Sequence, residues 1–183
     1  MRLAGALAPG RQGATPRWTY GPPPGRYGCA IEIERKFLVA DPPSDLERWP
    51  STSIEQGYLA VAGDGTEVRV RRRDGAAWLT VKSGGGRARV EEEIEIDSDR
   101  FERLWPLTEG RRIEKTRYEI LTGDGLTVEL DVYTGALHGL VTAEVEFGSE
   151  EAADAFVAPA WLGPDITEDM RYKNQRLAVD GAP

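Results

Sequence analysis

Seven stretches between residues 31 and 148 alternate apolar and charged residues with a period of two, and this is what most constrains the fold. They are IEIERKFLV (31–39), TEVRVRRR (66–73), AWLTVKS (77–83), ARVEEEIEID (88–97), IEKTRYEIL (113–121), LTVELDVYT (126–134) and LVTAEVEFG (140–148). An extended chain sends successive side chains to opposite faces, so each stretch reads as a strand with one apolar and one charged side. Turn-forming residues separate them: GDG at 63–65, RDG at 73–75, SGGG at 83–86 and GDG at 123–125. Helical patterning is confined to 98–106, opened by a Ser or Asp cap, to 149–159 with Glu150 and Glu151 in its first turn, and to 167–179. The chain reads as α+β and mainly antiparallel β.

Parity sorts the side chains. One face collects Glu32, Glu34, Lys36; Arg69, Arg71; Lys82; Arg89, Glu91, Glu93; Lys115, Arg117; Glu129, Asp131; and Glu144, Glu146. The other collects Ile31, Ile33, Phe37; Val68, Val70; Leu79, Val81; Val90, Ile94; Val128, Leu130, Val132; and Val141, Ala143, Val145, Phe147. Glu92 on the apolar face and Ile113 on the charged face break the pattern. Two arrangements satisfy it. In a sandwich the apolar faces meet and the charged faces look at water. In a curled sheet the charged face points inward and helices cover the apolar outside. Val70 and Val145 decide between them: buried under Leu104 or Phe156 in the second, meeting across two sheets in the first.

The charged positions are nearly all Glu, Asp, Arg or Lys, which favours the inward arrangement over an ordinary mixed solvent face. Seven bases and eight acids give that face a net of −1. Carboxylate pairs at strand spacing suit Mg²⁺ or Mn²⁺, and two such ions would bring the face to about +3, fit for a polyphosphate. The chain carries a formal −8 with one cysteine and one histidine, His138 in a turn. This balance argues against general nucleic-acid binding, excludes an intrachain disulfide, and leaves little for a histidine-based site. Neither a P-loop nor a G-x-G-x-x-G motif is present. Residues 1–28 are rich in Gly, Pro and Arg and read as a flexible tail before a domain at 29–180; no membrane span is expected. Trp49, Trp78, Trp105 and Trp161 are expected to pack helices against the sheet.

EIERKFLV at the first strand resembles the E-x-E-x-K signature of the CYTH superfamily, the triphosphate tunnel metalloenzymes. The likeness continues in order through QGYL (56–59), VRVR (68–71), LTVKS (79–83), Arg89-x-Glu91-x-Glu93, EKTRY (114–118), ELDVY (129–133), AEVEF (143–147) and TEDMRYKN (167–174). It implies an eight-stranded closed β-barrel forming a tunnel, with a charged interior and helices packed outside. It implies that Glu32, Glu34, Glu144 and Glu146 hold divalent metal, Mg²⁺ or Mn²⁺, and that Glu91, Glu93, Glu129 and Asp131 serve metal, water or neighbouring bases. Arg69, Arg71, Lys82, Lys115 and Arg117, with Arg89, would clamp phosphates, and Lys36 with Tyr58 would stand near the scissile phosphate. The implied reaction is hydrolysis of a linear triphosphate, a small-molecule polyphosphate, by metal-activated water; the single cysteine fits a reducing, cytoplasmic setting, and the charge balance and lack of an apolar run argue against nucleic acid and membrane as partners. A class IV adenylyl cyclase and a non-catalytic polyphosphate-binding module are the alternatives; the His-Phe pair often found before E-x-E-x-K in those cyclases is absent from YGCAI.

Overall fold

The computed structural model describes residues 33–83, 90–123 and 125–183. The eight strands are β1 (Ile33–Leu38), β2 (Ser51–Val61), β3 (Glu67–Arg73), β4 (Ala76–Ser83), β5 (Val90–Ile96), β6 (Arg112–Leu121), β7 (Thr127–Tyr133) and β8 (Val141–Phe147). They form one antiparallel sheet in the order β1-β8-β7-β6-β2-β3-β4-β5. At the β3–β4 turn, Asp74 (φ 47°) and Gly75 (φ 88°) both adopt positive φ, as the tightest hairpins require. Three short helices follow strands: α1 (Ser98–Leu104), α2 (Glu150–Ala155) and α3 (Asn174–Asp180). Asp97 caps α1 by accepting from Arg100 N, and Ser149 caps α2 by accepting from Ala152 N. The segment expected to be helical from 167 stays irregular until a 3-10 turn at Met170–Tyr172, and α3 begins only at Asn174. No described helix is long and apolar enough to cross a membrane.

Helices cover the apolar face. Val70, Ala77 and Ile96 bury against Phe101 of α1, with Leu104 and Trp105 beside them. Phe37, Val128, Leu130, Ala143, Val145 and Phe147 form a second cluster with Ala153 of α2 and with Phe156 and Trp161 behind it. Val70 and Val145 therefore lie under helix-side residues, and the two-sheet sandwich does not form. The charged face is nonetheless buried in its middle: Asp131 is 0% exposed and Lys115 6%. A flat sheet would leave those side chains open to water, so the sheet curls toward them, as the inward arrangement requires.

The ladder is not closed. Among the described residues, β1 and β5 are end strands, and no pairing joins them into the expected barrel. The outer edge of β1 is taken by the segment before α3: Leu38 N donates to Pro164 O, Ile166 N to Lys36 O, and Lys36 N to Thr167 Oγ1. Those bonds satisfy the backbone groups that β5 would need in order to pair there. Arg35 pins the same segment through Asp165 and ties α2 to β1 by donating to the carbonyl of Ala153.

β2 is the strand that the alternation does not reveal. Gln56, Gly57 and Tyr58 are all buried, and a bulge between Tyr58 and Ala60 interrupts the pairing with β3. On the outer side Gly57 lies under the 3-10 turn Trp105–Thr108, where a Cβ would stand 2.3 Å from Thr108 Oγ1. Gly57→Ala is expected to destabilise the fold by about 1–3 kcal/mol through overpacking, read by urea or thermal unfolding. An unchanged midpoint would show that the turn shifts freely.

Candidate functional site

Strand register lays the charged residues out in rows. Lys36 is opposite Glu144, Glu144 opposite Glu129, and Glu129 opposite Glu119. One step deeper Thr142 faces Asp131, which faces Arg117. On the other half Arg69 faces Thr80 and Thr80 faces Glu93, while Lys82 faces Glu91. Each assignment follows from parity within its strand together with the hairpin registers. Glu32 and Arg89 lie outside the described residues.

The β6–β8 half is one compact ionic cluster. Arg117 Nε and Nη2 each donate to Asp131 at 2.7 Å, Nη2 also to Glu144 at 2.7 Å, and Nη1 to Glu129. Lys115 donates to Asp131, and Lys36 Nζ stands 2.9 Å from Glu144 Oε1. Burial pushes the Lys115 ammonium below its ordinary value, against the pull of Asp131. Burial also works against Glu144, yet Lys36, Lys115 and Arg117 together bring its carboxyl down to about 2. Glu129 moves the other way: burial, with Glu144, Asp131 and Glu146 nearby, raises it despite Arg117.

The β3–β5 half is looser. Arg69 reaches Glu91 at 3.4 Å and Glu67 at 3.5 Å, Arg71 reaches Glu93 at 3.2 Å, and Lys82 reaches Glu91 at 2.9 Å. The Nε atoms of Arg69 and Arg71 are buried without a hydrogen-bond partner. An unpartnered buried guanidinium nitrogen is costly, because its lost hydration is not replaced.

One end of the face is apolar. Tyr58, Ile113 and Tyr133 pack there with Leu137 and with Leu177 and Ala178 of α3, so Ile113, out of pattern in the sequence, is part of a floor. The Tyr58 hydroxyl accepts from Gln56 Nε2 at 2.8 Å. Burial, then Glu67, pushes its phenol above the ordinary tyrosine range, so it stays protonated at neutral pH.

Among the described residues, no three acids form a ready-made cage. Glu34 nevertheless stands directly opposite Glu146, and Glu129 opposite Glu144. Like charges in facing positions repel, and burial first, then the neighbouring acids Glu144, Asp131 and Glu146, raise the Glu129 carboxyl although Arg117 is bonded to it. Oxygen donors of this kind on adjacent strands fit a hard divalent cation.

Several residues of this face escape the pattern-based list. Glu67 and Gln56 hold Arg69 and Tyr58, Arg73 stands 3.8 Å from Glu119, and Thr80 donates to Glu93. Glu67, Arg73 and Glu119 share parity with assigned neighbours, and that signal could have found them. Trp78 lies opposite Arg71 on this face and not under a helix, unlike Trp49, Trp105 and Trp161.

The sheet thus gathers its ion pairs on one face and keeps the apolar residues of the other under helices. The CYTH domain family matches residues 30–177, and the chain belongs to that family. An inorganic triphosphatase of Nitrosomonas europaea is 52% identical over 149 residues, 81% of this chain and 97% of that protein. One from Acetivibrio thermocellus is 39% identical over 149 residues, 80% of this chain and 92% of that protein. The crystal structure of the inorganic triphosphatase NE1496 aligns with a TM-score of 0.70 at 49% identity, covering 81% of this chain and 94% of that one.

Proposed function

We propose that this chain hydrolyses a linear triphosphate, inorganic tripolyphosphate above all, to pyrophosphate and phosphate with the help of Mg²⁺ or Mn²⁺. The observation that carries this reading is one sheet face that gathers bases and acids together, with Arg117 on Asp131, Glu129 and Glu144 and with Arg69, Arg71 and Lys82 on Glu91 and Glu93. The inorganic triphosphatases named above, similar over most of their length, point the same way. The curled sheet encloses the substrate as a tunnel, and the compartment we assign is the cytoplasm.

Arg69, Arg71 and Lys82 receive phosphate oxygens from one side and Lys115 and Arg117 from the other, and Arg89 is a further phosphate contact. Glu34, Glu144 and Glu146, with Glu129 and with Glu32, hold the cations. When bound, these ions polarise phosphate oxygens and make water a better nucleophile. Asp131 orients Lys115 and Arg117 at fixed distance. Lys36, on the border between the acids and the phosphate path, neutralises charge that builds on the bridging oxygen as the P–O bond to the leaving pyrophosphate breaks. Tyr58, held protonated, positions Gln56 and the Arg69 side of the site and takes no proton.

Phosphate release from tripolyphosphate, with and without EDTA, tests the reading. We expect release in Mg²⁺ or Mn²⁺ and its loss on chelation. Release that ignores EDTA, or none with either ion, overturns it. ATP run in parallel separates the other chemistries: cyclic AMP marks a cyclase, and tight binding without turnover marks a binding module.

A further inference from the structure

The two halves of the ionic face hold their bases differently. On β6–β8, Arg117 meets three carboxylates, and Asp131 among them is fully buried. On β3–β5, the bases lean on the end strand: Lys82 and Arg69 on Glu91, and Arg71 on Glu93. The side chains of Glu91 and Glu93 are 44% and 37% exposed, against 12% for Arg69. The two Arg contacts are also long, at 3.4 and 3.2 Å. Ion pairs of this exposure contribute little and break easily, whereas those inside a buried cluster do not. Arg69 and Arg71 each keep a buried nitrogen that these carboxylates leave unserved. β5 has no strand beyond it among the described residues, so carboxylates released there turn straight into water.

We infer that Glu91 and Glu93 are resident stand-ins for the phosphates, holding Arg69, Arg71 and Lys82 in place until a polyphosphate displaces them, and that they hold no cation. This role rests on the triphosphatase reading above and deepens it. A carboxylate already in the site sets a threshold that an incoming anion must exceed. A triphosphate, with its charge spread along three linked groups, can engage all three bases at once and exceeds the threshold. Pyrophosphate and orthophosphate engage fewer and are turned away. Glu91 and Glu93 thus lower the affinity of the site for every anion, so that only one with enough contacts to displace them still binds. Thr80 supports the arrangement by donating to Glu93 at 3.1 Å, keeping that carboxylate over the bases when the site is empty of phosphate.

The test is the binding of tripolyphosphate and of pyrophosphate, by calorimetry in EDTA, to the wild type and to Glu91→Gln, Glu93→Gln and the double variant. Glutamine keeps the shape and removes the charge. Pyrophosphate is expected to bind about three- to tenfold more tightly to the double variant, the equivalent of one or two exposed ion pairs. Tripolyphosphate, which displaces both carboxylates, should gain by at least as much, and inhibition of turnover by pyrophosphate should strengthen. The Mg²⁺ concentration that half-saturates turnover should not move. Unchanged or weaker pyrophosphate binding overturns the stand-in role, and so does a raised half-saturating Mg²⁺, which would make these residues cation ligands. The single variants, each losing one exposed carboxylate, carry the same test should the double variant fail to fold. If the wild type itself neither binds nor hydrolyses tripolyphosphate, the triphosphatase reading and the stand-in role fall together. If it does both and the variants do not tighten, only the stand-in role falls.

Discussion

Arg117→Met is expected to destabilise the fold by about 3–5 kcal/mol and to abolish turnover, the largest effect of any single substitution on this face. The reason is the company Arg117 keeps: its guanidinium is the shared partner of Asp131, Glu129 and Glu144. Burial opposes its charge, yet those three acids hold its proton above the ordinary guanidinium range. Removing it leaves the fully buried Asp131 with Lys115 alone and sets Glu129 against Glu144, which face each other across β7 and β8. Uncompensated buried charge is far costlier than a lost surface pair. Urea unfolding of the variant beside Arg71→Ala checks this, since Arg71 meets one half-exposed carboxylate and its loss should be mild. Equal midpoints for the two would show that the cluster contributes no more than a surface pair.

The second large effect falls on catalysis and spares the fold. Glu34→Gln is expected to lower turnover by at least about a hundredfold, with a melting temperature unchanged or slightly raised. Glu34 is exposed on β1 and faces Glu146, so amidating it relieves a like-charge pair while removing an oxygen donor for the cation. Titrating activity with Mg²⁺ separates causes: a cation ligand raises the half-saturating concentration, a phosphate contact raises KM. Full activity at saturating Mg²⁺ would show that the acids of β1 bind no catalytic ion.

Much of this was legible in the chain. Period-two alternation names the face of a side chain without knowledge of its partner strand, and Arg69, Arg71, Lys115, Arg117, Glu129, Asp131 and Glu144 all share the face so assigned. β2 was not legible as a strand, because its buried residues run consecutively and a bulge follows Tyr58. The two blemishes in the pattern are explained by place. Ile113 belongs to the apolar floor under α3, and Glu92 sits on the outer side of an end strand, where Ile94 too remains half exposed.

What the chain determined by itself is therefore the partition of side chains between two faces, since alternation is a property of one extended backbone and needs no neighbour. Which face turns inward was decided by tertiary structure: α1 and the residues around α2 bury Val70 and Val145, and the sheet curls away from them. Tertiary structure alone also decided that Asp131 would join two bases, that α3 would floor one end, and that the 164–167 segment would occupy the β1 edge in place of β5. Those outcomes depend on contacts between residues far apart in the chain. Local pattern carries no trace of them, because a strand edge or an apolar end is satisfied equally well by any segment of the right shape that reaches it.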